Sequence, residues 1–188
     1  MSTREHLVTA AKELLWERGY EAMSPRAVLE RSGAGQGSLY HHFASKAQLA
    51  ATALDEVSAE MQRTMRAILH ASKPPLERVR DFLLQPRDAL RGCRLGRLTQ
   101  EQVLAEEILR SPLSAFFTAA ERELAAVLEQ AQQEGSLAAA VNVADLAATL
   151  IAVVQGGYVL ARALQDPGQM ERAIRGALTL LDAIEREE

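Results

Sequence analysis

The chain is expected to be all-α, and three observations lead there. Its 188 residues are 48% apolar but only 4% aromatic, with Leu and Ala dominating. These are strong helix formers rather than strand formers. Runs of alternating apolar and polar residues, the mark of a half-buried strand, are missing. Where apolar residues recur, they do so at helical spacing: Leu7, Ala10, Ala11, Leu14 and Leu15 fall at i, i+3, i+4, i+7 and i+8. A chain of this length buries an ordinary core, as one domain or two small ones.

The elements follow in order. Thr3 is placed to cap a first helix of about 15 residues, ended by Gly19. Ser24 caps a second helix, Pro25 suits its first position, and Gly33 can take the left-handed conformation that ends it. Gly35-Gln36-Gly37-Ser38 opens a third, carrying Leu39, Tyr40, His41, His42 and Phe43. Ser45, with Gln48 three residues on, caps a long fourth helix that runs to about residue 71, where Ser72-Lys73-Pro74-Pro75 stops it. That helix joins the first part of the chain to the rest without a flexible linker. Five more helices are expected. One starts near Pro75 and ends before Pro86, and a shorter one follows the irregular stretch 85–96. Ser111-Pro112 opens a long one ending at Gly135, Asn142 caps another over about 143–165, and Asp166-Pro167 opens the last. The total is about nine.

The most informative stretch is SPRAVLERSGAGQGSLYHHFASK, residues 24–46. Two short helices meeting at a glycine turn form a helix-turn-helix, whose second helix can enter the DNA major groove. Residues 3–54 as a whole resemble the DNA-binding domain of the tetracycline-repressor (TetR) family. The features that carry the resemblance are AAKELLWERGYEA, the Ser24–Arg26 helix start, G-x-x-x-GSLYHHF, and Ser45-Lys46 opening the next helix. Leu29 departs from it, since the family usually has a small residue there. The GC-x-LG stretch at Gly92–Gly96 and the final helix opened by Asp-Pro also resemble the ligand-binding halves of that family. The resemblance implies a helix-turn-helix domain over residues 1–47 and a helical ligand-binding and dimerisation domain over 48–188. It implies a ligand-responsive repressor that binds operator DNA as a homodimer and is released by a small effector. A helical adaptor that keeps the fold but has lost DNA or ligand response is the alternative.

Within the motif, residue chemistry separates roles. The Gln36 amide can bond an adenine edge with both its atoms, and Gly37 allows close backbone approach. Ser38, Tyr40 and Lys46 suit phosphate oxygens, which position a helix without reading sequence. His41 and His42 complete the groove-facing set, and by resemblance Arg26 reaches a base or phosphate. Leu39 and Phe43, spaced i and i+4, belong to the core. Net charge is −4 overall, yet residues 1–50 carry +1 and the remainder −5. A locally positive face on an acidic protein is compatible with a duplex, because screening confines the field to about 10 Å.

Helix 143–165 is apolar nearly all round and so needs cover on more than one side. With the stripe of the last helix it points to a dimer interface of Val153, Gly156, Gly157, Leu160, Ile174, Leu178 and Leu181. Two-fold symmetry then calls for a roughly palindromic operator. Met61, Met65, Phe82, Phe116, Phe117, Ala120, Gln155 and Tyr158 offer soft, mostly apolar lining for an effector pocket. Ordinary core packing is the competing reading for each. Other classes find little support. There is no glycine-rich phosphate loop after a strand, no nucleophile elbow, and no metal-ligand spacing, so neither an enzyme nor a cofactor is expected. His41 and His42 point about 100° apart on a helix and do not converge on one ion. Cys93, the single cysteine, excludes an intrachain disulfide and suits a reducing cytosol; it reads as a lone thiol in a loop or pocket wall. No apolar run reaches membrane-span length and the start lacks a signal peptide's apolar core, so a cytoplasmic protein without membrane contact is expected.

Overall fold

The computed structural model describes residues 2–186, apart from the side chains of 102 and 103. Eight α-helices make up its frame: α1 Thr3–Ala22, α2 Pro25–Ser32, α3 Ser38–His42, α4 Lys46–Leu69, α5 Pro75–Leu84, α6 Glu107–Gln133, α7 Val143–Leu164 and α8 Gly168–Ile184. Two short 3-10 helices, Gly96–Gln100 and Gln102–Ala105, stand where a ninth α-helix was expected. No strand occurs among the described residues. The all-α expectation therefore holds.

Local chemistry explains most boundaries. Ser2, not Thr3, caps α1: its hydroxyl accepts the Glu5 N–H at 3.3 Å while the Glu5 carboxylate accepts the Ser2 N–H at 2.7 Å. This reciprocal pair satisfies two of the orphan donors at the helix start. Gly19 breaks α1 rather than ending it, at φ 82° and ψ 177°, and the chain coils for three more residues. Ser24 caps α2 through the Ala27 N–H, and Gly33 ends it at φ 68°. Ser45 caps α4 through the Gln48 N–H, and the Gln48 side chain reaches back to the Ala44 N–H. Pro112 does not open α6 but lies inside it, since the helix begins at Glu107. The proline removes a single hydrogen bond, to the carbonyl of Ile108, and that residue is exposed. Asn142 caps α7 through the N–H groups of Ala144 and Asp145.

The chain packs as two compact units that do not divide at one point in the sequence. Among the described residues, the first comprises 2–61 and 93–116, and the second 62–92 and 117–186. Helices α4 and α6 each begin in the first unit and end in the second. In the first, Leu7, Leu14, Leu15, Met23, Leu39 and Leu49 are fully buried. In the second, α7 and α8 are the most extensively paired elements, and Ala147, Leu150, Val154 and Ala161 of α7 join Met170, Ile174, Ala177 and Leu181 of α8 in one core cluster. By length and composition α7 is apolar enough to cross a membrane, contrary to the sequence expectation. Its uncharged run, 146–161, is bounded by Asp145 and Arg162, which lie near the helix ends. Only 28% of its most apolar window is buried within the protomer.

Candidate nucleic-acid interface

The interface is built on α2, α3 and the turn between them. Leu39 and Phe43 are buried and hold α3 against the first unit, while Tyr40, His41 and His42 on its other sides are exposed. Gln36 and Gly37 are exposed in the turn before α3, where Ser38 N–H bonds the Gly35 carbonyl at 2.9 Å and His41 N–H the Gly37 carbonyl at 3.2 Å. Ser38 itself is half-buried. Gly33 needs its left-handed backbone to turn the chain here. Five of the sequence-nominated residues, Gln36, Gly37, Tyr40, His41 and His42, thus lie together at the surface. Arg26 is also exposed, in an i,i+4 ion pair with Glu30 at 2.7 Å. That pair raises the Arg26 pKa, first through the hydrogen bond and then through the charge.

The cations are less available than composition suggests. Lys46 is half-buried, with Nζ 4.2 Å from the Tyr20 ring centre and donating to the Glu21 carbonyl at 3.4 Å. Burial lowers its pKa, against the opposing pull of Glu101, Glu21 and Glu106. Arg31 is engaged with Glu17 at 2.8 Å and Glu13 at 3.1 Å. Lys12 pairs with Glu56 and Glu60, and Glu60 also accepts from Arg94 at 2.9 Å. Burial alone would raise the Glu60 pKa, but the hydrogen bonds from Lys12 and Arg94 outweigh it and the net shift is downward. The Arg94 guanidinium stands 5.6 Å over Trp16. Arg4, at the start of α1, lies 5.3 Å from the Phe43 ring at the end of α3. None of these long-range pairings has a signature in local sequence.

The nominated effector residues are placed as follows. Met65, Phe82 and Ala120 are buried in the core cluster of the second unit, with Phe117 and Tyr158 packed against it. Gln155 of α7 is half-buried. Met61 is half-buried and Phe116 buried, and both fall in the first unit. A groove of about 440 Å³ opens elsewhere in the second unit, its lining including Leu83, Ala89, Met170 and Ile174 together with Arg87 and Arg175. The nominated interface residues divide. Leu160 is exposed and Val153, Gly156 and Leu178 are half-buried, whereas Ile174 and Leu181 belong to the protomer's own core. Gly157 is also turned inward: a Cβ there would lie 2.7 Å from Met170 Sδ. Cys93 is buried, and its Sγ accepts the Gly96 N–H at 3.3 Å.

Two family models match this chain. One describes bacterial regulatory proteins of the tetR family and covers residues 7–53. The other describes the C-terminal domain of tetracyclin repressor-like proteins and covers residues 75–177. The transcriptional repressor DhaR of Mycobacterium sp. (strain GP1) is 28% identical over 159 residues, which are 83% of this chain and 80% of DhaR. The regulatory protein TetR from Rhodobacter sphaeroides has a crystal structure that superposes with a TM-score of 0.82 at 25% identity, over 92% of this chain and 95% of that one. Reduced NemR of E. coli shares the fold, with a TM-score of 0.85 at 23% identity over 98% of both chains. With its exposed α3 and matches spanning both parts of the sequence, the chain belongs to the tetR family of bacterial regulatory proteins and is a DNA-binding transcriptional regulator, not an enzyme.

Proposed function

We propose that this regulator is a cytoplasmic repressor that binds a roughly palindromic operator as a homodimer and is released by a small apolar effector. The observation that carries the reading is the surface of α3 and its preceding turn. Two buried anchors, Leu39 and Phe43, leave Gln36, Tyr40, His41 and His42 facing outward together. Gln36 reads a base edge, Ser38 and Tyr40 serve phosphates, Arg26 reaches a base or phosphate, and Lys46 serves a phosphate with the donors that its bond to the Glu21 carbonyl leaves over. DNA binding is assigned to residues 1–47 and effector binding and dimerisation to 48–188, a functional division that differs from the two compact units. The sense of regulation is supported by the similarity to DhaR, a repressor.

The dimer reading is supported by α7 and α8, whose outward sides keep Val159, Leu160, Leu164 and Leu180 exposed in the protomer. The effector reading is supported by the shared cluster of Met65, Phe82, Ala120, Phe117 and Tyr158. These residues are packed, so an effector enters by displacing Met65 and the aromatic rings, and soft, flexible Met suits that. Coupling requires that the effector bind the DNA-incompetent state better, and operator DNA must then weaken effector binding equally. Selection of duplexes from a random library by the purified chain tests the core of this. Enrichment of a two-fold symmetric site is expected. Recovery of unenriched sequences, bound no more tightly than random DNA, overturns it and leaves a helical adaptor.

A further inference from the structure

The break in α1 exposes main-chain groups that a continuous helix would pair. With Gly19 at φ 82° and ψ 177°, the N–H groups of Tyr20 and Glu21 lose the carbonyls of Trp16 and Glu17. All four are satisfied by two side chains some 80 residues away. The Glu101 carboxylate accepts Tyr20 N–H at 2.9 Å and Glu21 N–H at 3.3 Å. The Arg97 guanidinium donates to the Trp16 carbonyl and, at 3.0 Å, to the Glu17 carbonyl. Anion faces exposed N–H and cation faces exposed C=O, the pairing that helix ends favour. The site is tight: a Cβ at residue 19 would collide with the Glu101 carboxylate. Both side chains come from one 3-10 turn and the residue that closes it.

The corner they hold is where the helix-turn-helix is hung. Met23, fully buried, bonds back to the Tyr20 carbonyl at 3.2 Å, and Ser24 then caps α2 directly. At the other end of the motif, Lys46 opens α4 and rests on the Tyr20 ring and the Glu21 carbonyl. Both ends of the α2–α3 pair are therefore tied to residues 20–23. We infer that Arg97 and Glu101 are positioning residues for operator recognition, fixing through this corner the frame from which α3 meets DNA. The inference rests on the reading of α3 as the DNA-reading helix.

The test uses the full chain and the duplex that it selects. Operator affinity is measured by fluorescence anisotropy for Glu101→Ala and Glu101→Gln, each corrected for folded fraction, with amide exchange at Tyr20 and Glu21 read in parallel. Glu101→Ala is expected to speed exchange at both amides and weaken operator binding on the order of tenfold, within the usual range of site-to-site coupling. Glu101→Gln keeps an acceptor oxygen and discards the charge, so it is expected to restore both, which excludes a purely electrostatic effect through Lys46. Should Glu101→Ala fail to fold, Glu101→Asp, a methylene too short to reach both amides, gives the same comparison. In the double variant with Arg97→Ala, losses smaller than the product of the single effects are expected, since both act on one corner. Faster exchange with unchanged operator affinity in Glu101→Ala or Glu101→Asp overturns the inference while leaving the DNA-binding reading intact. A wild-type chain that selects no duplex overturns both.

Discussion

Leu160→Ala should weaken the proposed dimer by a calculable amount. Leu160 on α7 is 48% exposed in the protomer, and Val159, Leu164 and Leu180 are between 53% and 65% exposed. Complete burial of a Leu side chain contributes about 1.5–3 kcal/mol. With about half its surface left to cover, Leu160 contributes about 1 kcal/mol on association. A two-fold interface counts each residue twice, so the substitution should cost the dimer about 2 kcal/mol, a roughly 30-fold rise in dissociation constant. Leu160→Glu should cost more, because it also places a carboxylate where water is excluded. Sedimentation velocity over a concentration series measures this directly. Leu84→Ala on α5, at a residue 61% exposed, is the control and should leave association unchanged. A wild-type chain that is monomeric at micromolar concentration refutes the reasoning, as does an equal shift for Leu84→Ala.

Three further outcomes are expected. Gln36→Ala should lose about 1–3 kcal/mol of discrimination at one base position while retaining non-specific affinity; equal losses on selected and scrambled duplexes would remove Gln36 from the reading set. Gly157→Leu should destabilise the protomer itself by about 1–3 kcal/mol through overpacking against Met170, measured as a lower midpoint in urea unfolding. Acid should unfold the chain partly through Glu60 and Glu123. For each, burial acts to raise the pKa but is outweighed, by Lys12 and Arg94 for Glu60 and by His70, Arg66 and Arg122 for Glu123, so the net shift is downward. A depressed carboxylate pKa contributes stability that is present above the ordinary Glu value and lost as pH falls through the folded value, so the drop belongs below about pH 4.3. Replacing both by Gln should flatten that limb of the stability curve, and an unchanged slope would count against these pairs.

What was legible in the sequence was local. Ser24-Pro25, Gly33, Ser45 with Gln48, and Asn142 each act within four residues, so the boundaries they set could be read directly. The α1 cap was legible too, because Ser2 and Glu5 stand at capping-box spacing, a signal that selects Ser2 over its neighbour Thr3. Pro112 misled because proline favours the first turn but is tolerated deeper in a helix at the loss of one hydrogen bond, here beside the exposed Ile108. The helical stripes were also correctly seen, but a stripe does not say which molecule covers it. Ile174 and Leu181 are apolar at the right spacing and are buried within their own protomer, whereas Leu180, one step round the helix, is left outside. That distinction is decided by the mutual rotation of α7 and α8, which no periodicity encodes.

The deeper gap concerns charge. A charge of +1 over residues 1–50 suggested a locally positive face, but two of its cations, Arg31 and Lys46, are engaged inside the first unit. Elsewhere, arginine repeatedly serves main-chain carbonyls at helix ends. Arg97 takes those of Trp16 and Glu17 at the break in α1. Arg78, buried, donates to the Leu69 carbonyl at the end of α4 at 2.8 Å and to the Gln130 side chain. Arg87 takes the carbonyls of Phe82 and Leu83 at the end of α5, at 2.7 and 2.6 Å. A guanidinium suits this role because its planar fork meets two acceptors at once and keeps its charge when buried. Cations used in this way keep their charge but are held by the fold and are not free to reach a phosphate. Affinity for a duplex must then rest more on α3 lying close against DNA than on net charge. For a protein of charge −4, the role proposed for the corner at Gly19–Met23 is to fix the frame from which α3 approaches a duplex.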